Sequence, residues 1–310
     1  MSFSIASIKY KIGEVAVPVS EICETTGRNY ARLLQRSGFE YVHRTKKSEE
    51  IFFGEFINQE LVVSRADFII FVNQSMPSLI PGKIPGLFAN RSDVNSVGFL
   101  EISDGCTGFS RALVVANAMM ESNLSSRVHI ICGEKYSKFY EDHDESVSPI
   151  FSDAISLTTL TKEGPYKIIG FKFLNFFSMS NSISVSKDNE GSDKIRMDGA
   201  RVLTWATSEI PMLVNELLSE AGLSAEFVNS WFLHQGSKVV VESLSEKFGI
   251  DLCDNFNSSQ LGNTVSSTIP IMIKESLIKS GRNSIERGHA IVLGFGIGLS
   301  VVALLLEINS

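Results

Sequence analysis

The sequence predicts an α/β protein whose sheet is covered by helices on both faces. Three observations carry this. Apolar runs of strand length, such as Asp67 to Val72 and Arg127 to Cys132, show no polar alternation, as strands buried on both faces do not. Segments whose apolar residues recur at three- and four-residue steps alternate with those runs. The order strand, polar turn, helix, strand then recurs in the second half, as a duplicated architecture would give.

In chain order, Ser4 to Ile12 reads as a weak strand and Val19 to Gln35 as helical. Glu50 to Val63 is a helix leading to the buried strand Asp67 to Val72. Pro77 to Asn90 is punctuated by Pro and Gly, with a short helix near Ile84 to Ala89. Val97 to Ile102 is a strand, followed by a helix carrying Leu113, Ala116 and Met120 on one face. Arg127 to Cys132 and Phe151 to Thr159 are further strands. The second half begins with a strand at Tyr166 to Phe177. Asn181 to Asp198 is Ser-rich and polar and reads as a loop, mobile through Lys194. Helices follow at Ala200 to Ala221, Ser237 to Phe248 and Ile269 to Lys279, with a strand at Val228 to Leu233. His289 to Leu293 and Leu299 to Glu307 close the chain as strands. No Pro- or Ser-rich linker separates the halves, so they share one compact body.

Composition bounds the partners. The 310 residues suffice for a large core, and 44% hydrophobic with 20% charged residues is ordinary for a globular protein. The net charge of −7 argues against nucleic-acid binding and requires any acidic partner to dock on a local basic patch. Four cysteines without regular spacing predict reduced thiols and no structural metal. The N-terminus lacks the features of a secretory signal, so a cytoplasmic location is expected. Ala290 to Leu306 is seventeen uncharged residues interrupted by Gly294, Gly296 and Gly298, short of the ~20 a spanning helix needs. Two buried strands joined by a glycine turn are expected there, with no membrane association.

Three motifs carry chemistry. In VGFLEISDGCTGFSRALVVANAMMESN (Val97 to Asn123), Cys106 falls between strand and helix, where unpaired N–H groups and the positive end of the helix dipole converge. That field favours the thiolate, which is the nucleophile. Gly105 and Gly108 would leave the sulfur uncrowded. A buried cysteine in a strand–turn–helix corner is the competing reading. The second motif is Trp231-Phe232-Leu233-His234-Gln235-Gly236, where a strand delivers a histidine at its end; a satisfied core histidine is the alternative. The third is Leu261-Gly262-Asn263-Thr264, where Asn263 could equally serve as an N-cap. All three sit at strand ends or helix starts, where side chains can converge on one pocket. Cys132 reads as core, Cys23 and Cys253 as structural, and no role is assigned to His43, His129, His143 or His289. The Gly294 to Gly298 run has neither the following helix nor the Lys of a phosphate loop.

Taken together, the motifs resemble the ketoacyl-ACP synthase III family of thiolase-fold condensing enzymes, nearly end to end and in order. Arg36-Ser37-Gly38-Phe39 resembles the family's R-T-G-I, and Asp104 to Phe109 its A-C-x-G-F nucleophile motif. Trp231 to Gln235 resembles the strand ending in His-Gln, Gly262-Asn263-Thr264 the G-N-T, and Gly294 to Leu299 the closing G-F-G-x-G-L loop. The resemblance implies a five-layered αβαβα thiolase fold with two similar halves. Residues 1–160 would carry the nucleophilic cysteine, and 161–310 the histidine and asparagine. It also implies a catalytic triad of Cys106, His234 and Asn263, a homodimer, and no cofactor beyond acyl-CoA or acyl-carrier-protein substrates.

On that reading Cys106 takes an acyl group from a thioester, dividing one hard reaction into two. A malonyl-type thioester then loses CO₂ while His234 and Asn263 donate hydrogen bonds to its enolate oxygen, and the enolate attacks the acyl-cysteine. The N–H of Cys106 and one from the Gly296-Ile297 loop would hold the tetrahedral oxyanion. Some departures bear on substrate. Arg32 stands where family members that take acyl-CoA often have an adenine-stacking tryptophan, which favours a carrier-bound donor. The family's G-D-G-A is Ser152-Asp153-Ala154-Ile155, its H-Q-A ends in Gly236, and Ile297 is bulky. The helix after His234 offers only Lys238 and Lys247 for carrier docking. These features point to a specialised lipid or secondary-metabolite pathway. The alternatives are transfer of the acyl group to an alcohol or amine, an inactive subunit of a heterodimer, and a thioesterase.

Overall fold

The computed structural model describes residues 2–64, 67–76, 82–141, 144, 146–187, 191, 193–253, 256–296 and 298–309. The chain opens with β1 (Phe3–Ile12) and β2 (Val15–Pro18), then α1 (Val19–Thr26) and α2 (Tyr30–Ser37). The expected single helix over Val19 to Gln35 is thus two. Gly27 ends α1 in the left-handed conformation, and the Asn29 side chain restarts the helix by accepting from the Arg32 N–H. β3 (Tyr41–Arg44) and α3 (Glu49–Glu60) follow, α3 capped by Ser48 with Glu49 and Glu50 in its first turn, where the helix dipole favours acids. Next come β4 (Asp67–Val72), α4 (Lys83–Gly86), β5 (Gly98–Ile102), α5 (Gly108–Glu121), β6 (Arg127–Glu134) and β7 (Ala154–Lys162). Of the expected punctuated stretch, 77–81 lie outside the described residues.

The second half runs β8 (Tyr166–Asn175), β9 (Ile183–Lys187), β10 (Asp193–Met197), α6 (Gly199–Glu220), β11 (Ser230–Leu233), α7 (Lys238–Phe248), α8 (Ser258–Leu261), α9 (Thr268–Ser280), β12 (Gly288–Gly296) and β13 (Ser300–Ile308). The loop expected over Asn181 to Asp198 is instead largely the antiparallel hairpin β9–β10. Ser184 and Ser186 on one side of β9, and Lys194 and Arg196 on one side of β10, hid the period-two apolar residues Ile183 and Ile195, which are buried. The uncharged stretch Ala290 to Leu306 is β12 and β13, paired antiparallel. Among the described residues no helix is long and apolar enough to cross a membrane, and no group of three His, Cys, Asp or Glu could hold a metal.

Nine strands form one sheet in the order β11-β12-β13-β8-β1-β7-β6-β4-β5, its two arms joined at the single pair Phe3–Tyr166. The arms share a plan. In the first, β4 and β6 are parallel and β6, β7 and β1 antiparallel in turn. In the second, β11 and β12 are parallel and β12, β13 and β8 antiparallel in turn. Helices α5 and α9 each contact strands of both arms and so lie between them, while α3 packs outside the first arm and α6 outside the second, with α7 beside it. That stacking is the five-layered αβαβα arrangement. Apolar side chains of the central helices and second arm, among them Ala112, Ala116, Ile291, Val301 and Leu304, are fully buried. A second cluster under α3 is rich in aromatics (Phe52, Phe53, Phe71).

Candidate active site

Cys106, His234 and Asn263 are each buried and line one cavity of about 320 Å³. Each arrives by a different device. Cys106 lies two residues before α5 in a turn that Asp104 organises: its carboxylate accepts from the Gly105 N–H (2.9 Å) and the Thr107 hydroxyl (2.7 Å) and pairs with Arg111 (2.5 Å). The sulfur therefore sits at the N-terminal end of a 14-residue helix, where the dipole favours negative charge. The expectation that Gly108 clears space for the sulfur is corrected. A Cβ there would lie 2.2 Å from Val72 Cγ1, so its absence serves the α5–β4 contact. The residue that frees the sulfur is Gly296, where a Cβ would stand 2.9 Å from Cys106 Sγ with φ at +152°.

His234 leaves the end of β11 with its N–H donating to the Leu293 carbonyl (2.9 Å), so β12 fixes its backbone. The ring stands edge-on to Phe295, with centroids 5.5 Å apart. Burial lowers its pKa to about 3 against the opposing effect of the Val265 backbone, so the imidazole is neutral near neutral pH. Its Nδ1 has no hydrogen-bond partner among the described residues. Nε2 faces Gly236. A Cβ at that position would lie 3.0 Å from Nε2 and 3.9 Å from Asn263 Nδ2, which places both nitrogens around one small space.

Asn263 is held on three sides. Its N–H donates to the Ile150 carbonyl and its carbonyl accepts from the Ser152 N–H, both at 2.9 Å. Its Oδ1 accepts from the Val265 N–H (2.9 Å), which leaves the amide nitrogen to point into the cavity. Gly262 before it (φ +66°) packs against Ser152, whose hydroxyl a Cβ would meet at 2.4 Å. Ser152, which stands where the family's strand has a glycine, and Asp153, which matches the family's aspartate, are thus buried structural groups. Asp153 accepts from the N–H groups of Thr45 and Ser137.

The sequence reading missed several residues here. Val265 adopts a left-handed conformation (φ +54°) that a β-branched side chain disfavours, and no sequence signal announces it. Phe295, Phe151 and Met197 wall the cavity, and Arg28 and Arg36 stand at its mouth. Arg36 is the arginine of the R-S-G-F motif; Arg28, eight residues before it across the α1–α2 corner, is the one the sequence reading left out. Arg32 between them is exposed. Lys238 is half-exposed beside Glu242 (3.5 Å) and Lys247 is exposed in the last turn of α7. Gly296 is in place; Ile297 lies outside the described residues.

Comparison with known proteins agrees with this architecture. Residues 100–176 match the 3-oxoacyl-(acyl-carrier-protein) synthase III family, and residues 218–308 match that family's C-terminal region. A beta-ketoacyl-(acyl-carrier-protein) synthase III of Lactococcus lactis subsp. cremoris is 26% identical over 270 residues, which are 83% of this chain and 81% of that protein. The structure of 3-oxoacyl-(acyl carrier protein) synthase III, FabH, from Pseudomonas aeruginosa superposes with a TM-score of 0.87 over 100% of this chain and 99% of that one, at 16% identity. The priming beta-ketosynthase of a polyketide biosynthetic pathway superposes with a TM-score of 0.85 over 100% and 97%, at 19% identity. With both halves matched and the layered sheet shared, the chain belongs to the ketoacyl-ACP synthase III family of thiolase-fold condensing enzymes.

Proposed function

We propose that Cys106, His234 and Asn263 are the reacting groups, and that the chain condenses an acyl group held on Cys106 with a malonyl-type thioester. The observation that carries this is the convergence of His234 Nε2 and Asn263 Nδ2 on one small space in the cavity that Cys106 lines, with burial keeping the ring neutral. Acyl transfer to an alcohol or amine needs a base whose pKa lies near the working pH. A ring at about 3 is far too weak a base for that. Decarboxylation needs no base: loss of CO₂ leaves an enolate, and the site must only stabilise its oxygen. In the tautomer that carries its proton on the inward Nε2, His234 is one donor, and the Asn263 amide is the second. Removing one such donor typically lowers the rate about 100- to 1,000-fold. The Cys106 N–H, with an N–H of the Gly296 turn beside it, suits the oxyanion formed when the enolate attacks.

The acyl donor we infer is a carrier-protein or CoA thioester. Arg28 and Arg36 at the cavity mouth, with Lys238 and Lys247 on α7, offer the basic surface an acidic carrier needs. The exposed Arg32 favours the carrier-bound form, and with it a specialised lipid or secondary-metabolite pathway. We also infer a homodimer. β5 ends the sheet with an unpaired edge, and Ile169, Phe171 and Phe173, on one face of β8, are 36%, 48% and 41% exposed. Arg111 on α5 packs on that β8 face, its guanidinium 5.6 Å from the Phe173 ring and its Nη2 donating to Asn175.

Intact mass after incubation with acyl-CoA and acyl-carrier thioesters tests the core of this reading. An adduct on the native protein that is missing from Cys106→Ala, followed by CO₂ release when malonyl-carrier is added, is expected. An adduct without CO₂ release would favour transfer or hydrolysis, and no adduct with any donor would favour an inactive subunit.

A further inference from the structure

The strand β6 ends in a carboxyl group that the reaction above does not use. Glu134 is completely buried. One carboxyl oxygen accepts from the Ser75 N–H (2.9 Å) and the Gln74 N–H (3.2 Å); the other lies 3.1 Å from the Gln74 nitrogen and 3.2 Å from Ser266 Oγ. Ser266 directly follows Val265, whose left-handed backbone gives its N–H to Asn263 Oδ1 and also acts on the His234 ring. The next residue, Ser267, donates to the Cys132 carbonyl on β6 (2.9 Å) and accepts from Ser156 on β7 (3.1 Å). The first arm of the sheet therefore grips, at consecutive residues, the turn that aims a reacting group of the second arm. A left-handed valine persists only where its surroundings over-determine it, and such positions cluster at functional sites.

We propose that Glu134 is a positioning residue for the condensation step: through Ser266 it holds the left-handed turn at Val265 and so aims the Asn263 amide at the enolate oxygen. This rests on the reading of Cys106, His234 and Asn263 as the reacting groups. Burial raises the Glu134 pKa to about 8, so at neutral pH it is a carboxylic acid. The Ser266 hydroxyl donates to the ionised carboxylate; in the neutral acid the Glu134 O–H can donate to Ser266 Oγ instead, while the other oxygen takes both amide N–H groups. The titratable groups around it are Glu49, which accepts from Ser75 Oγ and from Lys138, and the buried Cys132 and Tyr136. None is a cation placed to hold the charged form. A glutamine can copy the neutral acid, its carbonyl accepting from the amides and its NH₂ donating to Ser266. An alanine cannot.

The test separates the two half-reactions in the purified full chain: Cys106 acylation by intact mass, and CO₂ release from malonyl-carrier. Glu134→Ala and Ser266→Ala are expected to lower the CO₂-releasing kcat by about 100-fold, the usual effect of ~1 Å of misplacement, with acylation changed far less. Glu134→Gln is expected to keep the neutral-pH rate and to hold it above pH 8, where the native protein declines as its carboxyl ionises. If Glu134→Ala does not fold, Ser266→Ala, which alters only the turn, decides the matter. Wild-type condensation in Ser266→Ala, equal losses in both half-reactions, or a Glu134→Gln as impaired as the alanine variant would overturn the proposal. A native protein that forms no Cys106 adduct would instead sink the reading on which it rests.

Discussion

Acid should destabilise this protein through His234, by an amount the structure supplies. The ring's pKa falls from an ordinary 6.5 to about 3 on folding, because burial removes the water that would solvate the imidazolium. The unfolded chain therefore takes up a proton that the folded chain refuses. Stability from this group is complete above about pH 6.5 and is lost as pH falls toward 3, reaching about 5 kcal/mol at the low end and ~2.7 kcal/mol at pH 4.5, at 1.36 kcal/mol per unit. Glu134 works in the opposite sense. Its folded pKa of about 8 lies above its unfolded value, so its contribution is full below about 4.5 and fades as pH rises through 8. The raw pH dependence mixes the two, and a difference measurement isolates the histidine. Urea unfolding followed by the fluorescence of the buried Trp205 and Trp231 would be measured at pH 7.5 and 4.5 for the native protein and His234→Gln. The native protein should lose more stability than the variant over that interval, by ~2–3 kcal/mol. Equal losses would mean that the ring is solvated or charged in the folded state, and the argument against base catalysis would fall with it.

Two further outcomes follow from the packing. Gly296→Ala places a methyl group 2.9 Å from Cys106 Sγ at a φ of +152°, so overpacking and backbone strain each cost about 1–3 kcal/mol. Its Cys106 acylation rate should fall about 100-fold, read by intact mass, and an unchanged rate would show that the closing turn yields freely. Replacing Phe171 and Phe173 with glutamate should turn the proposed dimer into a monomer in sedimentation, since charges on an apolar face covered by a second copy would remain unpaired. A native protein that sediments as a monomer at micromolar concentration would refute that interface.

Much of the fold was legible because buried parallel strands announce themselves. Asp67 to Val72 and Arg127 to Cys132 have no polar alternation to confuse the period. The hairpin β9–β10 escaped because Ser184, Ser186, Lys194 and Arg196 alternate with its few apolar residues and mask the two-residue period. The α1–α2 break escaped because Gly27 and Asn29 act through backbone conformation and capping, which apolar spacing does not register. In the site, Cys106, His234 and Asn263 were legible as residues at strand ends and helix starts. What holds them was not. Val265 has the residue type least expected at positive φ, and Glu134 reads as the polar end of a strand until Gln74, Ser75 and Ser266 surround it.

The shared plan of the two arms explains why the supports lie where they do. β4 and β11 hold equivalent places in their arms, and so do β6 and β12. β11 runs into His234, whereas β4 runs into Asn73, whose amide Oδ1 accepts from Met76 and fixes the turn that offers its N–H groups to Glu134. β12 ends at Gly296, stripped of a side chain beside the sulfur; β6 ends at Glu134, with a side chain that reaches across to the other arm's turn. At the same pair of strand ends, then, the second arm supplies the proposed donor and an empty space, and the first arm supplies the proposed clamp. A duplicated scaffold with one reacting centre needs only one set of these ends for chemistry. The other set is free to become rigid support, and the serine contacts across the central layer are where that support is transmitted.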